Sequence, residues 1–333
     1  MKAYLGRLFR SQSLSAQEAE EAMNLIMRGD ATAEEMAGFL GALAGRGETA
    51  EEIRGCAASL RKHAITLPVQ RRDLIDVCGT GGDGAETFNI STTNALVLAA
   101  AELGVVKHGN RAVSSKSGSA DVLEALGLKI DMTPAEAAAA VDAQGFAFLF
   151  APLFHPAMKN VMPVRRALGV RTIFNLIGPL ANPSPVKRQV IGVFAERWLE
   201  PVAQALLSLE AEEALVVWGS DGLDELSIGS PTHAIHVKHG GLVKLVLEPE
   251  SFGLDRAELD RVRGGDKQDN ARITEAILKG EKGPKRDIVL MNAGAALVVA
   301  GRAKTWKEGA QLAAQLIDQG TALQKLEQLR AKS

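Results

Sequence analysis

Leu74-Ile75-Asp76-Val77-Cys78-Gly79-Thr80-Gly81-Gly82-Asp83-Gly84 is the most informative segment of the chain. A short apolar run typical of a strand enters a loop with four glycines in six positions, and a helical pattern follows at Thr92–Leu103. Glycines let the backbone bend sharply and bring its amides close to an anion. The segment therefore indicates a strand, a phosphate-binding loop and a helix, with a purely structural glycine turn as the alternative interpretation.

Two nucleotide-binding loops can be compared with this segment. Gly79-x-Gly81-x-x-Gly84 matches the dinucleotide fingerprint, in which the last glycine lies in the helix and the second strand ends in an acidic residue. Here Thr87–Ser91 separates the last glycine from the helix, and the second strand ends in Lys107. An NADP enzyme that uses Lys107 for the 2′-phosphate is therefore disfavoured. Because no Gly-Lys-Ser/Thr occurs, a Walker-type site is excluded too.

Strand-like and helical patterns alternate on both sides of the loop, which predicts a mainly parallel central sheet covered by helices. His233–Leu247 alternates in character around Gly240-Gly241 and predicts an antiparallel hairpin. The predicted strands are Leu74–Val77, Val105–Lys107, Phe146–Phe150, Gln189–Phe194 and Ala214–Trp218. Predicted helices are Thr92–Leu103, one that begins at Thr133-Pro134, Trp198–Leu209, Lys267–Leu278, Arg286–Ala300, Trp306–Asp318 and Thr321–Arg330.

The first 65 residues show only helical patterns. Ser15, Thr32 and Thr49 each precede a glutamate by three residues, the spacing of a capping box at a helix N-terminus. We therefore predict an α/β fold with two domains. Residues 1–68 form a small N-terminal helical domain, completed by helices around residues 155–175, and residues 69–333 form a large α/β domain.

Composition limits the classes of function. The 333 residues are 46% hydrophobic and 23% charged, which excludes wholesale disorder. A net charge of −2 and 4% aromatic residues disfavour nucleic-acid binding, so phosphate chemistry should be confined to one local site. Two cysteines, Cys56 and Cys78, cannot build a disulfide scaffold. We expect a cytoplasmic protein without a membrane partner, since neither a signal-peptide core nor a membrane-length apolar run occurs.

A second polar segment follows the second predicted strand. Lys107–Asp121 carries several cations and serines just past the strand end, where ligands bind in open α/β sheets. Asn89–Thr93 offers hydroxyls and free amides at the start of the preceding helix, which suits an anion and magnesium. Ordinary helix caps and a solvated loop are the alternative interpretations. Together with the glycine loop, the two segments predict a phosphate-binding cleft.

These residues resemble the signature of the anthranilate phosphoribosyltransferase family, and the match runs in order along nearly the whole chain. The motifs that carry the resemblance are Gly79–Gly84, Thr87–Thr92, Lys107–Arg111, Ser117–Asp121, His155–Met158, Arg165, Arg171–Leu180 and Asp221–Glu225. The family's reaction joins anthranilate to the phosphoribosyl group of 5-phosphoribosyl 1-pyrophosphate (PRPP) in tryptophan biosynthesis. The resemblance also implies a homodimer formed through the helical domain and an active site between the domains. Cys78, where the family often has a small aliphatic residue, is interpreted as a buried thiol of little consequence.

The resemblance assigns roles to individual residues. It implies an anthranilate site at Gly79, Asn110 and Arg165, and two magnesium ions held by Ser91 and the Asp224-Glu225 pair. Lys107 and His108 are the candidate catalytic residues, and His108 either accepts a proton late, hydrogen-bonds the substrate or is merely structural. The residues implied to hold PRPP are Gly79, Gly82, Asp83, Thr87, Asn89, Ser91, Thr92, Lys107, Asn110, Arg111, Ser114, Ser115 and Ser119.

Two other functions share this architecture. A pyrimidine nucleoside phosphorylase uses inorganic phosphate, so an acidic pair suited to magnesium and pyrophosphate, Asp224-Glu225, argues against it. A nucleic-acid-binding relative without enzymatic activity is disfavoured by the charge balance and by the presence of Arg165.

Overall fold

The computed structural model describes residues 1–112 and 116–332. Its helices are α1 (Lys2–Leu8), α2 (Ala16–Arg28), α3 (Ala33–Arg46), α4 (Ala50–Lys62), α5 (Ile90–Ala100), α6 (Ser119–Ala125), α7 (Pro134–Gln144), α8 (Ala151–Phe154), α9 (Met162–Leu168), α10 (Phe174–Ile177), α11 (Leu199–Ser208), α12 (Lys267–Leu278), α13 (Pro284–Val299), α14 (Trp306–Asp318) and α15 (Thr321–Arg330). Its strands are β1 (Leu74–Gly79), β2 (Gly104–Gly109), β3 (Phe146–Phe150), β4 (Arg188–Gly192), β5 (Glu213–Gly219), β6 (Thr232–Lys238) and β7 (Gly241–Leu247).

The strands form one seven-stranded sheet in the order β3-β2-β1-β4-β5-β6-β7. The first five are parallel, whereas β6 and β7 form the antiparallel hairpin that the sequence predicted. The three capping boxes before α2, α3 and α4 are present, each with the hydroxyl accepting from the N3 amide. The predicted α/β fold with a small helical N-terminal part is confirmed.

Each face of the sheet is covered by helices. Leu215 and Val217 lie in a core with α5, α13 and α14, while Ala214 and Val216 lie in another with α2, α4 and α11, as alternation along a strand requires. Among the described residues, no helix is both long and apolar enough to span a membrane.

The strand β4 ends earlier than the sequence predicted. It stops at Gly192, and the amide of Phe194 donates instead to Thr80 Oγ1 at 3.0 Å. The prediction failed because Val193 and Phe194 are as apolar as the strand itself. Phe194 therefore bonds to the glycine loop instead of extending the strand.

Candidate active site

The site lies where the strand order reverses. From β1, the chain crosses to β2 and β3 on one side and to β4 and β5 on the other, so the carboxyl ends of β1 and β4 border a crevice. Ligands bind at such switch points in open α/β sheets. The glycine loop begins at this end of β1, which places its amides at the mouth of the crevice.

Asp224 closes the crevice between these strands. Its Oδ2 accepts from the Gly81 amide at 2.6 Å, and its own amide donates to Asp83 Oδ2 at 3.4 Å. A Cβ on Gly79 would lie 2.2 Å from Asp224 Oδ2, and one on Gly192 would lie 1.6 Å from the Asp224 carbonyl oxygen. Both glycines are therefore required for the acidic loop to approach the sheet.

Asp224 is buried and Glu225 is half-buried, and the pKa of each carboxyl group is raised. Burial, followed by repulsion from Asp83 and Glu225, raises the pKa of Asp224 well above its usual range. Burial likewise raises the pKa of Glu225 to about 7, although the Lys107 charge opposes this rise. Carboxylates forced together in this way gain from a bound cation.

Magnesium suits the chemistry of this donor set. Glu225 Oε1 accepts from the Ser91 amide at 3.1 Å, which brings the Ser91 end of α5 next to the acidic pair. The described residues hold no group of three His, Cys, Asp or Glu side chains arranged as a self-sufficient metal site. An ion here would therefore take further ligands from water and substrate phosphate, as magnesium commonly does.

Lys107 is 2% exposed and lies in β2, the neighbour of β1 in the sheet. Its Nζ donates to the Val77 carbonyl at 2.7 Å and to Ser91 Oγ at 3.2 Å. Asn182 Nδ2 donates to Asp76 Oδ2 and to the Val106 carbonyl, both at 2.8 Å. These side chains satisfy carbonyl groups that the two strands do not pair with each other, and they fix the ammonium beside Ser91.

Asn89 precedes α5 and is oriented by a residue that the sequence did not single out. Its Oδ1 accepts from Asn270 Nδ2 at 2.9 Å, and its own Nδ2 donates to the Ser117 carbonyl at 3.2 Å. Asn270 is 2% exposed in α12, and its Oδ1 accepts from the Gly265 amide at 2.8 Å. Thr87 joins the same region through an antiparallel bridge to Arg263.

A second such residue, Asn292 in α13, supports the acidic pair. Its Oδ1 accepts from the Leu226 amide and its Nδ2 donates to the Leu226 carbonyl, both at 2.9 Å. Both backbone hydrogen-bonding groups of Leu226, the residue after Glu225, are thereby fixed. The signal in the sequence was an asparagine within the apolar part of a helix, where its helix propensity is poor.

His108 lies at the end of β2, next to His155. The rings are 5.0 Å apart, and the Nε2 atom of each is buried without a hydrogen-bond partner in the described part of the chain. Burial, helped by repulsion from His155, lowers the pKa of His108 to about 3. Burial lowers the pKa of His155 to about 4. Both imidazoles are therefore neutral near pH 7, and each keeps a buried nitrogen available for a hydrogen bond.

Arg165 projects from α9 with its guanidinium 5.0 Å from the ring centre of Phe174. Burial lowers its pKa, and within residues 1–112 and 116–332 no carboxylate forms an ion pair with it. A half-buried guanidinium without a counter-ion is suited to a carboxylate ligand.

Three further residues that the resemblance assigns to PRPP, Arg111, Thr92 and Ser119, lie in the described part of the chain. Arg111 is exposed and paired with Asp121 and Glu124 at 3.0 and 2.9 Å. Thr92 is 1% exposed, and its hydroxyl has no partner in the described chain. Ser119 Oγ donates to the Asn110 carbonyl at 3.3 Å, beside the end of β2. Ser114 and Ser115 lie outside the described residues.

Known proteins resemble this chain along nearly its whole length. The glycosyl transferase family models match twice, the helical bundle domain at residues 2–64 and the a/b domain at residues 71–323. Anthranilate phosphoribosyltransferase from Symbiobacterium thermophilum is 50% identical over 99% of this chain and 97% of its own. The Thermus thermophilus enzyme of that name has a TM-score of 0.93 at 45% identity, with 98% of each chain covered. The Saccharomyces cerevisiae enzyme, solved in complex with PRPP and Mg, has a TM-score of 0.90 at 31% identity, covering 99% of this chain and 96% of its own. With such identity along its whole length, the chain belongs to the anthranilate phosphoribosyltransferase family, pentosyltransferases of tryptophan biosynthesis.

Proposed function

We propose that the family's reaction takes place in the crevice described above. The phosphoribosyl group of PRPP passes to the amine of anthranilate, giving N-(5-phosphoribosyl)anthranilate and pyrophosphate. The observation that carries this proposal is the convergence of the glycine loop, buried Lys107 and the Asp224-Glu225 pair at neighbouring strand ends. Because the leaving group is a polyanion, it needs amides, a cation and metal ligands together.

PRPP is proposed to bind along the glycine loop and the start of α5. Free amides of the loop and the hydroxyl of Ser91 face its phosphates, and Lys107 neutralises pyrophosphate as the C1–O bond breaks. Ser91, Asp224 and Glu225 would hold two magnesium ions, which would supply Lewis-acid stabilisation of the departing pyrophosphate. The S. cerevisiae relative in complex with PRPP and Mg supports both ligands.

Anthranilate is proposed to bind on the other side, with its carboxylate on Arg165 and its ring near Asn110 and Gly79. Its amine is uncharged near neutral pH, so it attacks without a strong base. Neutral His108 is available to accept a hydrogen bond from that amine, and its lowered pKa means that it holds a transferred proton only briefly.

Two further proposals concern organisation. The division into residues 1–68 and 69–333, with residues 155–175 completing the helical part, is supported by Val161, Val164 and Ile173, which lie in the same core as α2 and α3. A homodimer through the helical part is supported by Phe9, which is 68% exposed at the end of α1. Sedimentation of wild type and Phe9→Glu tests the dimer, since a monomeric variant is expected.

The decisive experiment follows anthranilate fluorescence after PRPP is added to pure protein. We expect a decrease that requires magnesium and stops with chelator. Absence of turnover with saturating substrates and magnesium would contradict the proposed function. Phosphorolysis of a pyrimidine nucleoside would favour the phosphorylase alternative, and a shifted oligonucleotide at physiological salt would favour the nucleic-acid-binding alternative.

A further inference from the structure

We infer that Arg171 is a positioning residue for the glycine loop, which it holds through the carbonyl of Gly82. An Nη2 hydrogen of Arg171 donates to that carbonyl, and the guanidinium lies 4.4 Å from the ring centre of Phe194. The plane of the guanidinium is thus supported by an aromatic face while its edge bonds the loop. Arg171 is exposed and donates to a carbonyl of the loop, so we assign its role to the loop rather than to the reacting atoms.

Asp224 holds the residues on either side of Gly82, through the Gly81 amide and the Asp83 carboxylate, whereas Arg171 holds the Gly82 carbonyl itself. Gly81, Gly82 and Gly84 all have positive φ, and none has a side chain that could pack. The earlier part of the loop is fixed by bonds to β4 and to Asp224, and Thr80 Oγ1 accepts from the Phe194 amide. Phe194 is therefore fixed relative to the loop, and it places Arg171 against the Gly82 carbonyl.

Arg171 also connects the loop to the segment of the proposed anthranilate site. It follows α9, which carries Arg165 and packs against α3, and the chain between them turns at Gly169 with φ of 62°. A loop that is ordered before PRPP arrives loses less conformational entropy on binding. Removal of the Arg171 bond should therefore weaken PRPP binding selectively. This consequence rests on the proposed function of the loop.

The test uses Arg171→Met, which keeps the apolar stem and removes the donors, and Arg171→Lys, which keeps a positively charged donor group without the planar face. Arg166→Met is the matched control, since Arg166 is exposed on the same segment and forms no ion pair with a described residue. Hydrogen exchange of residues 80–85 is measured in the free full-length protein. Steady-state kinetics give the KM for each substrate.

For Arg171→Met we expect faster exchange of residues 80–85 with unchanged exchange in α5. We also expect a KM for PRPP raised about tenfold, the worth of one hydrogen bond to a charged donor, and a KM for anthranilate within about twofold of wild type. Arg171→Lys should be intermediate, and the control should match wild type.

Two results would overturn the inference. A raised KM for PRPP with unchanged loop exchange would make Arg171 a direct substrate ligand, and an unchanged KM would make the bond irrelevant to binding. If wild-type protein shows no turnover, the proposed function fails, whereas the exchange experiment still decides whether Arg171 orders the loop.

Discussion

Replacement of Gly79 by alanine tests whether Asp224 must stay where the structure places it. The new Cβ would lie 2.2 Å from Asp224 Oδ2 and 2.6 Å from its Cγ, whereas an ordinary contact needs 3.4 Å. The carboxylate must therefore move by about 1.2 Å. Gly79 does not have a positive φ, so alanine adds no backbone strain of its own.

The size of this movement of the Asp224 carboxylate gives the expected decrease in catalytic rate. A positioned group that moves by about 1 Å costs on the order of 100-fold in rate. We therefore expect kcat/KM for PRPP to fall about 100-fold, equivalent to ~2.7 kcal/mol of transition-state stabilisation. The magnesium concentration needed for half-maximal activity should rise as well, because Asp224 is a proposed ligand.

The assay is loss of anthranilate fluorescence at several PRPP and magnesium concentrations. Gly41→Ala is the control, since nothing lies within 4 Å of a Cβ at that position in α3. Circular dichroism and thermal unfolding confirm that both variants fold. A folded Gly79→Ala protein with near wild-type kcat/KM and magnesium dependence would refute the placement of Asp224 in the site.

Three further variants test other parts of the site. Arg165→Ala should raise the KM for anthranilate more than that for PRPP, because it removes the proposed carboxylate partner; steady-state kinetics showing the reverse would exclude that role. Because burial lowers the pKa of His108 to about 3, its imidazole stays neutral between about pH 5 and 9. His108→Asn should therefore lower kcat without changing the shape of the pH profile, and loss of an inflection near 6.5 would contradict this. Asn270→Ala frees Asn89 and should raise the KM for PRPP by about three- to tenfold, which kinetics on folded protein can refute.

Local sequence patterns predicted the elements better than the contacts between them. Periodicity gave α12, α14, α15 and β3 with the observed bounds because each has its own apolar pattern and cap or turn. Gly81 and Asp224, however, are 143 residues apart, and their hydrogen bond depends on β4 lying between β1 and β5 in the sheet. Strand order is a property of the whole chain, so the residue pattern alone could not pair them, and the family resemblance was needed.

The supporting asparagines show a different limit. Asn270 and Asn292 act on backbone groups and on another amide, so neither belongs to a cluster of chemically reactive residues. Their polarity inside helices was visible, but the partner of a buried amide depends on which loop packs against that helix face. Sequence reasoning therefore found the groups proposed to touch substrate and missed those that hold them.

The charges of the site determine how a protein of net charge −2 can accept PRPP. In the described chain, Lys107 is the cation that lowers the pKa of Glu225, whereas Asp83, Asp224 and Glu225 repel one another and any phosphate. Without metal, the crevice is either negative or partly protonated, and neither state attracts pyrophosphate. Asp224 and Glu225 would hold magnesium in place of protons, and the charge of the ion would favour a phosphate ligand. PRPP should therefore bind as its magnesium complex, and at sub-saturating magnesium its affinity should rise with pH up to about 7, where Glu225 of the metal-free site loses its proton.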